Sequence, residues 1–302
     1  SRRQRQMCIR DRVWRARDTH LHREVAVKLV RVDEDDTSLA RRFEREAVTM
    51  AGITHPNVAT IFDAGVDDDR AYLVMELLRG GDLAHRIKER GRLPFDEVSR
   101  IGIGIANGLA AAHATGVIHR DMKPANVLFD GDTPKVIDFG IARLAEGNEG
   151  LTQTAMTIGT ATYMSPEQAK GEPVAPASDA YSLGCVLYAM ITGHPPFRAD
   201  SQIAVVSAHA HEPAPRLRSQ RPETPRALDA LVARLLAKDA SARPTLDQVA
   251  AALKGQPWES SEAATEVISP AAGAGGIPSV RTPPLPGAHA ASAPAAMAAP
   301  PM

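Results

Sequence analysis

Cysteine is nearly missing from this chain. Its 302 residues hold two, Cys8 and Cys185. Two thiols cannot build a disulfide framework, and their scarcity points to a reducing compartment. No apolar run reaches the length of a membrane span. Neither sign of charge prevails: 35 Lys and Arg stand against 36 Asp and Glu, a formal net charge of -1. Global charge therefore gives no support to a nucleic-acid or membrane-surface role. The N-terminus is rich in arginine, with seven in the first seventeen positions, but has no hydrophobic segment, so these residues are not expected to be a secretory signal. Residues 1–12 contain no glycine at all.

What is present divides into three zones. Residues 1–12 are polar and basic, residues 13–254 carry regular apolar patterning, and residues 255–302 are dominated by Ala, Pro, Gly and Ser. The last zone has too few large apolar side chains to offset its ordering entropy and is expected to be a disordered linker. Hydrophobic residues make up 44% of the whole, enough for one large domain or two modest ones.

Within the middle zone the pattern changes once. Val25, Val27 and Leu29 alternate with Ala26 and Lys28, as on a strand, and Tyr72–Leu77 predicts another. Between them Leu39, Phe43, Ala47 and Met50 recur at helical spacing. From Phe95 onward helices are expected: Val98–His113, Tyr181–Thr192, apolar nearly all round, and Leu228–Leu236. A small strand-rich lobe of about 13–78 thus precedes a larger helical one of about 79–254.

Two runs carry chemistry: His119-Arg120-Asp121-Met122-Lys123-Pro124-Ala125-Asn126, and then Asp138-Phe139-Gly140. Phosphoryl transfer asks for a carboxylate near the attacking hydroxyl, cations against the phosphates and ligands for magnesium. Asp121 can orient and accept the hydroxyl proton, Lys123 can neutralise charge on the moving group, and Asn126 and Asp138 are hard oxygen ligands for Mg²⁺. Asp-Phe-Gly alone is a weak signal; both runs in order are specific.

These runs resemble the signature set of protein kinases. The resemblance is to the bacterial Hanks-type Ser/Thr branch, its receptor kinases in particular, and covers Val13 to about Leu253. It implies the two-lobe α+β kinase fold and the use of ATP and Mg²⁺. It also implies that Lys28 in Val25-Ala26-Val27-Lys28 meets the phosphates and pairs with Glu46, with Glu44 as the rival. The backbone of Glu76 and Leu78 would hold adenine, with Val13, Ala26, Met75 and Leu128 around it and Asp82 on the ribose. Lys123 favours Ser or Thr acceptors, and Thr160 would bridge Asp121 and Lys123. Glu167 of Ser165-Pro166-Glu167 would pair with Arg243, and Asp179 would hold the catalytic-loop backbone. Arg120, before Asp121, resembles kinases switched on by phosphate in the activation loop, with Thr152 and Thr154 as acceptors and Thr157 behind them.

One part of the pattern is missing. The glycine loop should precede Val13, with Gly at position 11, where the chain has Asp11. Arg2–Asp11 is what a transposon-type sequencing-library adapter encodes when read in frame. Residues 1–12 are accordingly expected to be a non-native, adapter-derived segment in place of the native start, leaving the small lobe without its first strand. The chain as it stands is then expected to bind ATP weakly and to dissolve poorly. The expected function is transfer of the ATP γ-phosphate to Ser/Thr of proteins, itself included, in bacterial signalling. The alternatives are a pseudokinase or scaffold module, a fragment inactive for want of its loop, and a small-molecule kinase. Expected partners are protein substrates and a second copy for trans-autophosphorylation, with no nucleic acid and no membrane contact. The expected place is the cytoplasm, either free or as the cytosolic part of a membrane-anchored receptor kinase.

Overall fold

In the computed structural model the described residues are 11–31, 43, 46–67, 70–139 and 161–255. They belong to a single compact unit, Ser1–Glu262. Strand β1 (Asp11–Asp18) turns back into β2 (Arg23–Arg31) in an antiparallel hairpin that sets Val13 opposite Lys28. Asp18 closes the turn by accepting from the backbone N–H groups of His20 and Leu21, both at 3.0 Å. Strands β3 (Ile61–Asp67) and β4 (Arg70–Glu76) complete a sheet of order β1-β2-β4-β3. Buried Ala71, Leu73 and Met75 alternate along β4, the period of a half-covered strand. Phe43, Ala47 and Met50, with α1 over 46–51, join them in the core. β1 has no neighbour on its outer side among the described residues.

The remainder is helical. α2 (Leu83–Arg90) is capped by Asp82, whose side chain accepts from His85 N–H at 2.8 Å. α3 (Phe95–Ala114) is the central helix. Its glycines let other elements approach: a Cβ on Gly104 would stand 2.4 Å from Pro134 Cγ, and one on Gly108 2.5 Å from the Asn57 carbonyl. The hairpin of β5 (Val127–Asp130) and β6 (Thr133–Val136) is thereby drawn against α3. α4 (Pro166–Lys170), α5 (Pro176–Thr192), α6 (Gln202–His211), α7 (Leu217–Gln220), α8 (Arg226–Leu235) and α9 (Leu246–Lys254) follow, α9 packing along α3.

The strand and helix expectations hold with shifted ends. α5 starts at Pro176 rather than Tyr181, because proline is suited to a first helical turn and the polar Ser178 and Asp179 hid that turn from an apolar count. α3 gains Phe95-Asp96-Glu97, whose acidic pair favours a helix N-terminus. The helix expected from Leu39 is described only at Phe43 and 46–51. Residues 1–10, the segment 140–160 with Thr152, Thr154, Thr157 and Thr160, and residues 256–302 lie outside the described residues. β1 begins at Asp11, two residues before the boundary expected at 12/13.

Candidate active site

The loop that carries Asp121 is held by side chains at the N–H groups of residues 119 to 121 and at the carbonyls of Arg120 and Asp121. His119 is buried and donates from Nε2 to the Ile137 carbonyl at 2.9 Å. That bond leaves Nδ1 bare, and Nδ1 accepts the Asp121 N–H at 3.2 Å. The buried Asp179 carboxylate accepts from the N–H groups of His119 and Arg120, at 2.8 and 2.9 Å, and from His113 Nε2 at 2.7 Å. Asn126 Nδ2 donates to the Asp121 carbonyl at 2.8 Å. This clamping sustains Arg120 at φ 65°, the left-handed region that a side chain with a Cβ rarely enters.

The Asp121 carboxylate is half-buried. Its Oδ2 accepts from Lys123 Nζ at 2.7 Å and lies 3.4 Å from Asn126 Nδ2. Oδ1 has no hydrogen-bond partner among the described residues and is open to a further donor. Ile137 N–H donates to the Asn126 carbonyl at 3.0 Å, which ties the run before Asp138 to the Asp121 loop. Asp138 is also left-handed, at φ 57°, and its Oδ2 meets Lys28 Nζ, on β2, at 3.1 Å. Phe139 is buried and packs on His119 with ring centroids 4.8 Å apart. Asp121, Lys123 and Asn126 therefore form one polar cluster, and the Ile137–Asn126 backbone bond ties it to the run that carries Asp138 and its partner Lys28.

Other candidates stand as follows. Glu46 lies in α1 and lines a cavity of about 130 Å³ together with Arg120 and Phe139. In β4, Met75 is buried and Glu76 is bound by Thr60 N–H at 2.6 Å and Lys135 Nζ at 2.8 Å. Ala26 is buried opposite Met75, Leu128 is half-buried in β5 and forms a β-bridge with Asp82, and Leu78 is half-buried just past β4. Val13 is 61% exposed. A larger concavity of about 470 Å³, lined by Arg86, Arg90, Glu97 and Arg100 among others, includes Asp82 but none of the cluster around Asp121.

Glu167 and Arg243 are joined by two parallel bonds of 2.8 and 2.9 Å, and Ser178 Oγ donates to the same carboxylate at 2.6 Å. Burial pushes the Glu167 carboxyl up, but the bonds from Arg243 and Ser178 outweigh it and hold it at about 2. Cys185 is buried in α5, where desolvation pushes its thiol above its ordinary range. Sequence reading missed Lys135, His113 and Gln168. Lys135 and His113 have no local signal, since their partners are distant in the chain. Gln168 has one: Ser165-Pro166-Glu167-Gln168 is a capping box, with Gln168 N–H bonded to Ser165 Oγ and Gln168 Oε1 to Ser165 N–H.

The donor set can be tested for magnesium. With Nδ2 of Asn126 engaged, its Oδ1 remains as a neutral oxygen, and Asp138 adds a carboxylate. No group of three or more His, Cys, Asp or Glu suited to a metal occurs among the described residues. An all-protein cage is thus not built, but magnesium ordinarily takes one or two protein oxygens and completes its shell with phosphates and water, so the two residues fit it.

Comparison with known proteins decides the family. A protein kinase domain family model matches residues 11–258. The chain belongs to the protein kinase domain family. Within it the chain is of the bacterial Hanks-type Ser/Thr branch. It is 41% identical over 281 residues to a serine/threonine-protein kinase PknB of Mycobacterium leprae, a match over 87% of this chain and 45% of that protein. It is 44% identical over 232 residues to PknB of Mycolicibacterium smegmatis, over 74% and 37% of the two. PknB of Mycobacterium tuberculosis is 41% identical over 290 residues, 90% and 46%. The chain therefore spans less than half the length of these relatives. Among solved structures, a crystal structure of Rad53 in complex with AMP-PNP matches with a TM-score of 0.68 at 23% identity, over 83% of this chain and 62% of that one, a likeness in fold. The two-lobe α+β kinase fold is that of this chain: a small antiparallel sheet followed by a helical body. Kinases of this family use ATP. No helix among the described residues is long and apolar enough to cross a membrane.

Proposed function

We propose that this kinase domain transfers the γ-phosphate of ATP to Ser or Thr hydroxyls of protein substrates in bacterial signalling. One observation carries the reading: Asp121, held by Lys123 at 2.7 Å and clamped from behind, is tied through the Ile137–Asn126 backbone bond to the run that carries the Lys28–Asp138 pair. In this reading Asp121 Oδ1 takes the proton of the attacking hydroxyl while Lys123 balances charge on the transferred group. Lys28 binds the phosphates from the sheet side. Mg²⁺, when bound by Asn126 and Asp138, supplies neutralisation of the phosphate oxygens. Val13, Ala26, Met75, the Glu76 and Leu78 backbone, Asp82 and Leu128 form the nucleotide pocket, and Glu46 supports Lys28. Thr160 bridges Asp121 and Lys123. Thr152 and Thr154 are autophosphorylated and are read by Arg120.

Further parts of the proposal concern context. Residues 1–12 are non-native, 13–254 form the catalytic domain, and 255–302 are a linker. The domain acts on the cytoplasmic side, with no nucleic-acid partner, and a second copy serves trans-autophosphorylation. The test is a labelled-phosphate transfer assay beside an Asp138→Ala variant, with the acceptor sites mapped. Label on Thr152 or Thr154 in the parent alone is the expected result. Label that persists in Asp138→Ala overturns the assignment of that residue. No label in either, even with a glycine loop restored ahead of Val13, overturns the catalytic reading in favour of a binding module.

A further inference from the structure

The carbonyl of Arg120 and the N–H of Asp121 share one peptide plane, so whatever turns that carbonyl turns the root of the Asp121 side chain. On its Asp121 side the plane is held by His119 Nδ1, as described above. On the other side the Arg120 carbonyl accepts from Gln168 Nε2 at 2.7 Å. Gln168 is 6% exposed, and its amide has a fixed sense. Its Oε1 accepts from the N–H of Ser165 at 3.1 Å and from Ser165 Oγ at 3.2 Å. Flipping the amide would set its oxygen against a carbonyl and its NH₂ against an N–H.

Arg120 is left-handed at φ 65°. A residue with a Cβ stays there only where its surroundings insist. Asp179 grips its N–H and Gln168 its carbonyl, from two different helices. Gln168 also belongs to α4, which follows the 3₁₀ turn Ala161–Tyr163 and is anchored by the buried Glu167–Arg243 pair. Its side chain is thus a direct link between α4 and the loop that carries Asp121.

We infer that Gln168 is a positioning residue: its amide N–H holds the left-handed Arg120 peptide, sets the Asp121 carboxylate through it, and couples the seating of α4 to the readiness of the catalytic loop. The inference rests on the phosphotransfer reading above. The donor, rather than the helix cap, is what counts, and two substitutions separate these roles. Gln168→Glu keeps an oxygen for Ser165 N–H but turns the donor into an acceptor. Gln168→Met keeps the volume and loses both.

The experiment compares the full chain with both variants by two measurements. The first is steady-state phosphate transfer. A drop in kcat of about tenfold or more is expected in both variants, with KM for ATP within about twofold of the parent's. The second is amide hydrogen exchange. Faster exchange is expected in the stretch 117–123, with α3 and α5 protected as in the parent. If Gln168→Glu keeps the parent's kcat and the parent's exchange, the amide merely caps α4 and the inference falls. If Gln168→Met does not fold, Gln168→Glu carries the decision. If the parent transfers no phosphate even with a glycine loop restored ahead of Val13, the phosphotransfer reading fails and exchange alone judges the positioning: a local rise at 117–123 sustains it, and no change overturns it.

Discussion

The sheet and the helical body bury their apolar residues to different degrees. On β1, Val13 and Trp14 are 61% and 51% exposed, and Leu21 in the following turn is 65% exposed. In α5 every residue from Ser178 to Thr192 is buried. The polar contacts follow the same division. The sheet gives the candidate site a cation, Lys28, which meets Asp138 Oδ2 at 3.1 Å. The body fixes Asp121 through His119, Asp179, Asn126 and Gln168, with buried partners behind them. The difference teaches where each lobe's energy lies. The catalytic loop depends on satisfied buried polar groups, which are costly to orphan, while the outer face of the hairpin contributes little to stability.

The strongest way to break this comparison is at the base of the body. Arg243→Met leaves the Glu167 carboxylate buried without its cation, and a loss of about 3–5 kcal/mol is expected in a denaturant titration. A loss no larger than that of a surface substitution would end the distinction between the two regions. Substituting Glu167→Gln in the same chain should recover part of the loss, because the orphaned charge is then gone.

An intermediate effect comes from acid. His209 on α6 is buried, accepts from Tyr181 OH at 3.0 Å and donates to the Thr162 carbonyl at 2.9 Å. Burial pushes its imidazole down, from an ordinary 6.5 to about 4, and the neighbouring Lys238 ammonium adds to this. Below about pH 6.5 the unfolded chain takes up a proton that the folded chain refuses, so stability falls as the pH drops toward 4, by about 3 kcal/mol at most. Glu167, held at about 2 in the fold against an ordinary 4.5, adds its own loss from about pH 4.5 downward. Thermal melts between pH 8 and 4 should show the first loss, and His209→Gln should flatten it. A parent curve that is flat in that window would show that the body tolerates a charge at its centre.

The smallest effect sharpens the other side. Trp14→Thr, on the exposed face of β1, should change stability by less than about 0.5 kcal/mol. It should also reduce self-association, followed by light scattering, since it removes exposed apolar surface from β1. A large destabilisation would mean that β1 is held more firmly than its exposure indicates.

Local chemistry was readable wherever the chain itself brings the groups together. Asp121, Lys123 and Asn126 lie in one short run, and a 3₁₀ turn at Pro124–Asn126 folds them onto each other. Helical and strand periods placed α3, α5, α8, β2 and β4, because buried faces repeat at 3.6 or 2 residues. β1 and β3 were harder, since Arg15 and Arg17 in the first and Asp63 and Gly65 in the second interrupt the apolar pattern. The sequence by itself therefore determined the order of the lobes, strands before helices, the family and the residues of the Asp121 loop. Only the tertiary structure decided that Lys135 meets Glu76, that His113 joins Asp179 and that Gln168 reaches the Arg120 carbonyl. These contacts pair polar groups far apart in the chain, and no local pattern encodes them. What selects them is the cost of burying a donor or a charge without a partner, and that cost arises only once packing has excluded water.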